Sequence, residues 1–199
     1  MSLPPAFVTY GWCRVSYVIL QSLARRGVAV HVGDASRLAM CRVSRQAASF
    51  TRYRNPYRDP EGFVDDVAAA MRRTGARVLL PGHEDAFVVA RHRDRLPADA
   101  LVPVGDADLL ARVVNKWHTA ELAREAGVGV PATFKPESHD ELVARAASLA
   151  YPAIVKTQLG NSGKGVFVVR DAEECVARFD AVVREFGLLV ANCPIVQAF

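Results

Sequence analysis

The sequence has few cysteines, and their spacing is not that of a metal site or a disulfide framework. Four cysteines are scattered over 199 residues without a C-x-x-C pair: Cys13, Cys41, Cys175 and Cys193. Zinc knuckles and disulfide-stapled domains need closely spaced cysteines. We therefore expect buried free thiols and no metal-binding residues in this chain.

The sequence also lacks a long apolar segment and a secretory signal. No apolar run approaches the roughly 20 residues that cross a bilayer. The first residues, MSLPPAFVTYGWCR, lack the basic-then-apolar order of a leader peptide. We expect a cytoplasmic protein without a membrane partner, long enough at 199 residues for one large domain or two small ones.

Lysine is scarce in a chain whose net charge is +4. Arginine supplies 21 of the basic residues, and only four are lysines: Lys116, Lys135, Lys156 and Lys164. A lysine ammonium is a mobile point charge, whereas the guanidinium group is a planar fork. The four lysine positions are therefore candidates for a special role.

Basic residues are interspersed with acidic ones except from Arg37 to Arg58, where aromatic residues lie between the arginines. Basic and aromatic residues together can contact nucleic acid. No recognised nucleic-acid module accompanies the stretch. We interpret it as a solvated segment that folds over a sheet edge, and we expect no nucleic-acid partner.

Two of the lysines lie in or beside a glycine-rich segment. Residues 153–169 read AIVKTQLGNSGKGVFVV, in which an apolar strand ends at Lys156, a loop holds Lys164 between glycines, and a second apolar strand follows. Glycines let backbone N–H groups approach an anion, and lysine adds charge. The pattern favours a phosphate-binding loop, with an ordinary hairpin turn as the alternative.

Two common nucleotide-binding motifs do not fit this loop. A Walker A loop needs glycine where Gln158 stands, Ser or Thr where Gly165 stands, and a helix afterwards, whereas VFVV indicates a strand. A dinucleotide fingerprint needs G-x-G-x-x-G opening a helix. That motif is also absent after the first predicted strand, where residues 11–14 read GWCR, and this argues against a Rossmann-type oxidoreductase.

The first hundred residues predict a small doubly wound α/β unit, because strands alternate with amphipathic helices. The predicted strands are 7–10, 28–32, 77–80 and 100–104, the predicted helices are 16–26, 61–74 and 84–96, and 37–60 is predicted to be irregular.

The second half predicts helices over 106–126, broken near 114–115, and then a small α+β unit of order β-α-β-β-α-β. Its predicted strands are 132–135, 153–157, 165–169 and 195–199, and its predicted helices are 138–149 and 171–186. Ser138 with Glu141, and Asp171 with Glu174, have the spacing of capping boxes.

Three segments in this order resemble motifs of the ATP-grasp superfamily, in the branch of biotin carboxylase and the carbamoyl-phosphate synthase large chain. They are VVNKWHTAELAREAGVGVPAT (113–133), YPAIVKTQLGNSGKGVFVV (151–169) and PIVQAF (194–199). The chain departs from the usual pattern at Asn115, Gly129, Thr157 and Ala198, where the family commonly has Asp, Pro, Pro and Glu. Residues 79–96 resemble part of the domain that precedes ATP-grasp in this branch.

The resemblance implies a Rossmann-like pre-ATP-grasp domain over 1–106, linking helices over 107–130, and the α+β lid subdomain of an ATP-grasp fold over 131–199. It implies that ATP is bound by Lys116 and Lys156, by a lid loop over the phosphates, and by Gln197 at the adenine edge. The lid residues are Gly160, Asn161, Ser162, Gly163, Lys164 and Gly165.

The resemblance also implies a function. Family members are ligases that activate a carboxylate as an acyl-phosphate, which an amine or a thiol then attacks, and homodimers are common in this branch. Their magnesium ligands lie on a lobe after the adenine hinge, whereas this chain ends at Phe199. We expect an ATP- and Mg²⁺-dependent ligase fragment without catalytic residues of its own. The alternative is a non-catalytic nucleotide-binding or interaction module.

A second candidate site lies in the first half of the chain. His83, Glu84 and Asp85 follow a predicted strand, and ligands favour the carboxyl edge of open α/β sheets. His83 and Glu84 are therefore candidates for a substrate edge. The alternative is that the acids only offset a helix dipole.

Overall fold

The computed structural model describes residues 3–160, 163–189 and 192–199, and the chain divides into two compact units, Met1–Leu110 and Ala111–Phe199. None of the helices in the described part is long and apolar enough to cross a membrane. The four cysteines are free, as expected, and three of them are buried: Cys41, Cys175 and Cys193.

The first unit alternates strands and helices. Its elements are β1 (Ala6–Val8), α1 (Arg14–Ala24), β2 (Val30–Asp34), β3 (Ala47–Arg52), α2 (Pro60–Thr74), β4 (Val78–Leu80) and α3 (Asp85–Arg91), with 3₁₀ turns at Met40–Val43 and Arg93–Arg95. A further helix, α4 (Ala107–Val114), spans the boundary between the units.

The four strands form one parallel sheet in the order β3-β2-β1-β4. Helices cover both faces of the sheet. Successive strand residues point to opposite sides, so neighbouring residues of one strand pack against different helices. Phe7 packs with Phe63 of α2 on one face, and Val8 packs with Leu20 of α1 on the other. The unit is therefore doubly wound, as predicted.

Two parts of this unit differ from the sequence-based prediction. Residues 37–60 are not all irregular, because β3 pairs in parallel with β2 although its sequence, AASFTR, has little strand propensity. The strand predicted at 100–104 is reduced to a single bridge between Leu101 and Val78. Pro103 has no N–H to donate, which prevents a longer ladder.

The second unit has the predicted order β-α-β-β-α-β after its first helix. Its elements are α5 (Lys116–Glu125), β5 (Thr133–Phe134), α6 (His139–Ala146), β6 (Ala153–Lys156), β7 (Val166–Val169), α7 (Ala172–Phe186) and β8 (Ile195–Ala198). The strands form an antiparallel sheet in the order β5-β8-β6-β7.

One face of this second sheet is covered by α6 and α7, and the other is covered only in part. Val155 and Val196 are buried against Leu142 of α6 and Phe179 of α7. The opposite face carries the alternate residues of each strand. Ile195 is fully buried there, whereas five others are only partly buried or exposed: Ile154, Lys156, Val166, Val168 and Gln197. We call it the open face.

Helices α6 and α7 begin with the predicted caps. Ser138 accepts a hydrogen bond from Glu141 N at 3.1 Å, and Asp171 accepts one from Glu174 N at 2.8 Å. The glutamate side chains reach one residue further back than in a standard capping box. Both bind the N–H before the cap residue, at 2.8 Å. Each helix start therefore satisfies two backbone donors.

We expect Asp171→Ala to lower the free energy of unfolding by about 1 kcal/mol, since the cap bond to Glu174 N is lost. Asp171→Asn keeps an acceptor oxygen and serves as the matched control. Urea unfolding, followed by Trp117 fluorescence in a Trp12→Phe background, reports on the second unit. Equal stability of the alanine and asparagine variants would contradict the capping role.

Candidate functional site

The break between α4 and α5 is made by Asn115, which caps α5. Its Oδ1 accepts hydrogen bonds from Trp117 N at 2.9 Å and His118 N at 3.2 Å. Its Nδ2 donates to Gln158 Oε1 at 2.9 Å. An aspartate could cap the helix but could not donate to Gln158. Asparagine at this position is therefore matched to the glutamine opposite it.

Gln158 joins three segments of the second unit. Its side-chain Nε2 donates to Cys193 O at 2.8 Å, and its backbone oxygen accepts from Lys116 N at 2.9 Å. The residue is 3% exposed, so these bonds are shielded from water. Gln158 thus fixes the start of α5 and the chain before β8 relative to the end of β6. Its role was not predicted from sequence.

The contact to Gln158 brings Lys116 to the glycine loop. Lys116 Nζ donates to Gly160 O at 2.9 Å. Burial lowers the pKa of Lys116, because removing an ammonium group from water disfavours its charged form. Two of the residues predicted to bind ATP, Lys116 and Gly160, are therefore in direct contact.

Lys156 lies at the end of β6 on the open face. Its Nζ donates to Gln197 Oε1 at 2.6 Å, and Gln197 Nε2 donates to Thr133 Oγ1 at 2.7 Å. Burial and, second, the charge of Lys116 lower the pKa of Lys156. The two ammonium groups thus share one electropositive site. Thr133, which orients Gln197, was not singled out from sequence.

The glycine loop returns tightly onto the end of β6. Thr157 N donates to Gly165 O at 2.8 Å, and Val166 N donates to Gly163 O at 3.3 Å. A Cβ on Gly165 would lie 2.7 Å from the Thr157 side chain, and the φ of Gly165 is +70°. Both features require glycine there. Lys164 is exposed beside it, while the predicted lid residues Asn161 and Ser162 lie outside the described residues.

A metal site does not accompany the two lysines within the described part of the chain. Residues 3–160, 163–189 and 192–199 contain no group of three or more His, Cys, Asp or Glu side chains that could hold a metal ion. Mg²⁺ needs oxygen ligands in near-octahedral geometry.

His83 and Glu84 lie in the turn between β4 and α3, and their role at a substrate edge stays a prediction. The His83 ring stacks on Tyr10, with ring centroids 4.9 Å apart. Among the described residues, His83 Nδ1 is buried and has no hydrogen-bond partner in the protein. Glu84 precedes α3 without capping it through its side chain.

Asp85 is more deeply buried than these two neighbours. It accepts hydrogen bonds from Thr9 Oγ1 and, at 2.9 Å, from His83 N. Burial raises the pKa of Asp85 in spite of both bonds, which act in the opposite direction. Asp85 thus fixes the turn after β4 by hydrogen bonds. This structural role goes beyond offsetting the dipole of α3.

Residues 115–190 match the family described as "Carbamoyl-phosphate synthase L chain, ATP binding domain". The propionyl-CoA carboxylase alpha chain of Ruegeria pomeroyi is 26% identical over 125 residues, which are 61% of this chain and 18% of that protein. Human N-acetylaspartylglutamate synthase A is 31% identical over 88 residues, which are 43% of this chain and 22% of that protein.

A solved structure has the same fold. The biotin carboxylase domain of Hydrogenobacter thermophilus 2-oxoglutarate carboxylase, a dimer in complex with MgADP, ADP and bicarbonate, aligns with a TM-score of 0.72 at 14% identity. The alignment covers 98% of this chain and 44% of that one. This chain thus spans about a fifth of the two curated relatives and less than half of the solved protein.

These comparisons support a resemblance to the ATP-grasp superfamily, in the branch of carbamoyl-phosphate synthase and biotin carboxylase. The resemblance seen in the sequence and the predicted fold class are both confirmed. The segment that matches the family model begins at Asn115 and includes Lys116, Lys156 and the glycine loop.

The charge coupling between the lysines can be measured, because the chain has only four lysines. In ¹³C NMR titrations of the lysine side chains, we expect Lys156 to have a pKa below the ordinary lysine value. Lys116→Met should raise the pKa of Lys156 by removing a neighbouring positive charge. Lys135→Met is the control and should leave it unchanged. An unaltered Lys156 titration in Lys116→Met would refute the shared site.

Proposed function

We propose that this chain is the ATP-binding portion of an ATP-grasp carboxylate–amine or carboxylate–thiol ligase. The observation that carries the proposal is the placement of Lys116 and Lys156 beside one glycine loop, with the pKa of each lowered by burial. Two partly desolvated ammonium groups favour the binding of a polyanion, because the negative charges of a triphosphate neutralise their positive charges.

In the proposed complex, Lys116 and Lys156 contact the phosphates, and the loop from Gly160 to Gly165 covers them. A covering loop excludes water from the transferred phosphoryl group. Gln197 lies at the adenine edge. Val168, 46% exposed on the open face, supplies apolar surface beside it for a planar base.

The proposed ligase transfers the γ-phosphate of ATP to a carboxylate, and an amine or thiol then displaces phosphate from the acyl-phosphate. The lysines of this chain would offset negative charge on the transferred group. As in the family, Mg²⁺ would be held by oxygen ligands on a lobe that follows the adenine hinge. We further propose that this chain alone is inactive, that the ligase is cytoplasmic, and that it forms a homodimer.

A second candidate function is a non-catalytic nucleotide-binding or interaction module of the same fold. Two departures from the family pattern support it: Asn115, whose amide is engaged with Gln158, and Ala198. Such a module would bind ATP without needing a complete magnesium site. Turnover by a longer form of the protein would separate the two functions.

The proposed binding site predicts that ATP binds to the chain and that Lys156→Met weakens binding. A lost charged hydrogen bond is worth about 1.5–3 kcal/mol, which corresponds to a roughly ten- to hundredfold higher Kd. Isothermal titration calorimetry measures this directly. Lys135→Met removes the same charge outside the site and should bind like the wild type. Equal losses in both variants would indicate nonspecific charge attraction and refute the site.

The proposed inactivity is tested by phosphate release. The chain is incubated with ATP, Mg²⁺ and pairs of small carboxylates and amines or thiols, and inorganic phosphate is measured. We expect no release above that of a Lys116→Met and Lys156→Met double variant. Turnover by the wild type that this double variant lacks would show that the chain is catalytically complete.

A further inference from the structure

The first unit contains a pocket that the proposed ATP site does not use. It has a volume of about 210 Å³ and lies at the carboxyl ends of β1, β2 and β3. Its lining includes four aromatic side chains and one carboxylate: Tyr10, Trp12, Tyr53, Tyr57 and Asp34. Ligands of open α/β sheets bind at this edge. The pocket is smaller than the roughly 300–1,000 Å³ of drug-sized sites, so its ligand must be small.

The carboxylate of Asp34 gives the pocket its sign of charge. Asp34 is 5% exposed, and its oxygens accept hydrogen bonds from Trp12 N at 2.8 Å and Ser36 N at 2.6 Å. Within the described residues it has no ion-pair partner within 4.0 Å. Its neighbour across the sheet, Arg52, donates Nε to Ala35 O instead. The negative charge therefore has no cation beside it in the described fold.

The hydrogen bond from Trp12 N to the Asp34 carboxylate disfavours an anionic ligand in the pocket. Trp12 N lies just before α1, where backbone N–H groups commonly bind anions. Here the Asp34 carboxylate already accepts the Trp12 N–H. An incoming anion would lose that donor and would meet a like charge. The position that binds phosphate in many α/β proteins is thus occupied by the protein's own carboxylate.

The aromatic side chains of the pocket surround the Asp34 carboxylate and leave space for a ligand. Tyr10 has a φ of +54°, an uncommon value for a residue with a side chain, and Tyr10 N donates to Tyr53 Oη at 2.8 Å. Such backbone strain concentrates at ligand sites. Trp12 and Tyr57 are 56% and 55% exposed. These two rings are accessible to a ligand that enters the pocket.

The pKa values of two tyrosine hydroxyl groups in the pocket are raised. Burial, followed by the charges of Asp34 and other acids, raises the pKa of Tyr10. Burial, with smaller contributions that include Glu84 and Asp85, raises the pKa of Tyr57 to about 12. Burial is the larger cause at both rings, and the nearby acidic side chains add to it.

We propose that this pocket binds a small organic ammonium ion, held against the aromatic rings and the Asp34 carboxylate. Cations are attracted to aromatic faces, and a desolvated carboxylate strengthens the attraction. The inference is independent of the proposed ATP site, because it uses only residues of the first unit.

Fluorescence of Trp12 tests the proposal in the full chain. Trp117→Phe leaves Trp12 as the single tryptophan. We expect a saturable change in its emission with methylammonium or tetramethylammonium chloride at constant ionic strength. Sodium chloride, sodium acetate and neutral tert-butanol should give no saturable change. Saturation with acetate, or equal responses to ammonium and sodium ions, would overturn the proposal.

Variants locate the binding site. Tyr57→Leu removes one exposed ring and should raise the Kd of tetramethylammonium roughly five- to thirtyfold without changing the circular dichroism spectrum. Phe186→Leu removes an exposed ring in the second unit and is the matched control. Lys156→Met should leave ammonium binding unchanged, which separates this site from the ATP site. Unaltered affinity in Tyr57→Leu would show that the cation binds elsewhere.

Discussion

The site in the second unit depends on one buried amide, that of Gln158. It accepts from Asn115 and donates to Cys193 O, and its backbone accepts from Lys116 N. A buried polar group that loses its partner costs about 1–3 kcal/mol. The three segments therefore hold one another in register. The distance between the lysines and the glycine loop follows from this network rather than from the lysines themselves.

The sequence predicted the second unit well, because its signals are local. Glycines, caps and alternating apolar residues define its strands and helices within a few positions, and the lysines are conspicuous in an arginine-rich chain. The roles of Gln158 and Thr133 could not be predicted, since their partners lie far away in sequence. The strand β3 was missed for the same reason: its pairing with β2 compensates for a weak strand sequence.

The two units carry opposite local charge at the edges where we propose that ligands bind. In the first unit, Asp34 is buried at the carboxyl end of β2, beside the aromatic rings of the pocket. In the second unit, Lys116 and Lys156 lie beside glycines. Net charge does not show this difference, because surface arginines dominate the total. The chemistry of each edge follows from the few charged groups that the fold shields from water.

The hydrogen bonds of the two lysines have a consequence for selectivity. Both ammonium groups already donate to protein oxygens, Gly160 O and Gln197 Oε1. An ammonium group has three N–H donors, so each lysine keeps two for a ligand while the protein oxygen fixes its position. A singly charged anion would meet the free donors of one lysine, whereas a ligand with several adjacent phosphates would meet those of both. We therefore expect such a site to favour ligands that carry several charges over those that carry one.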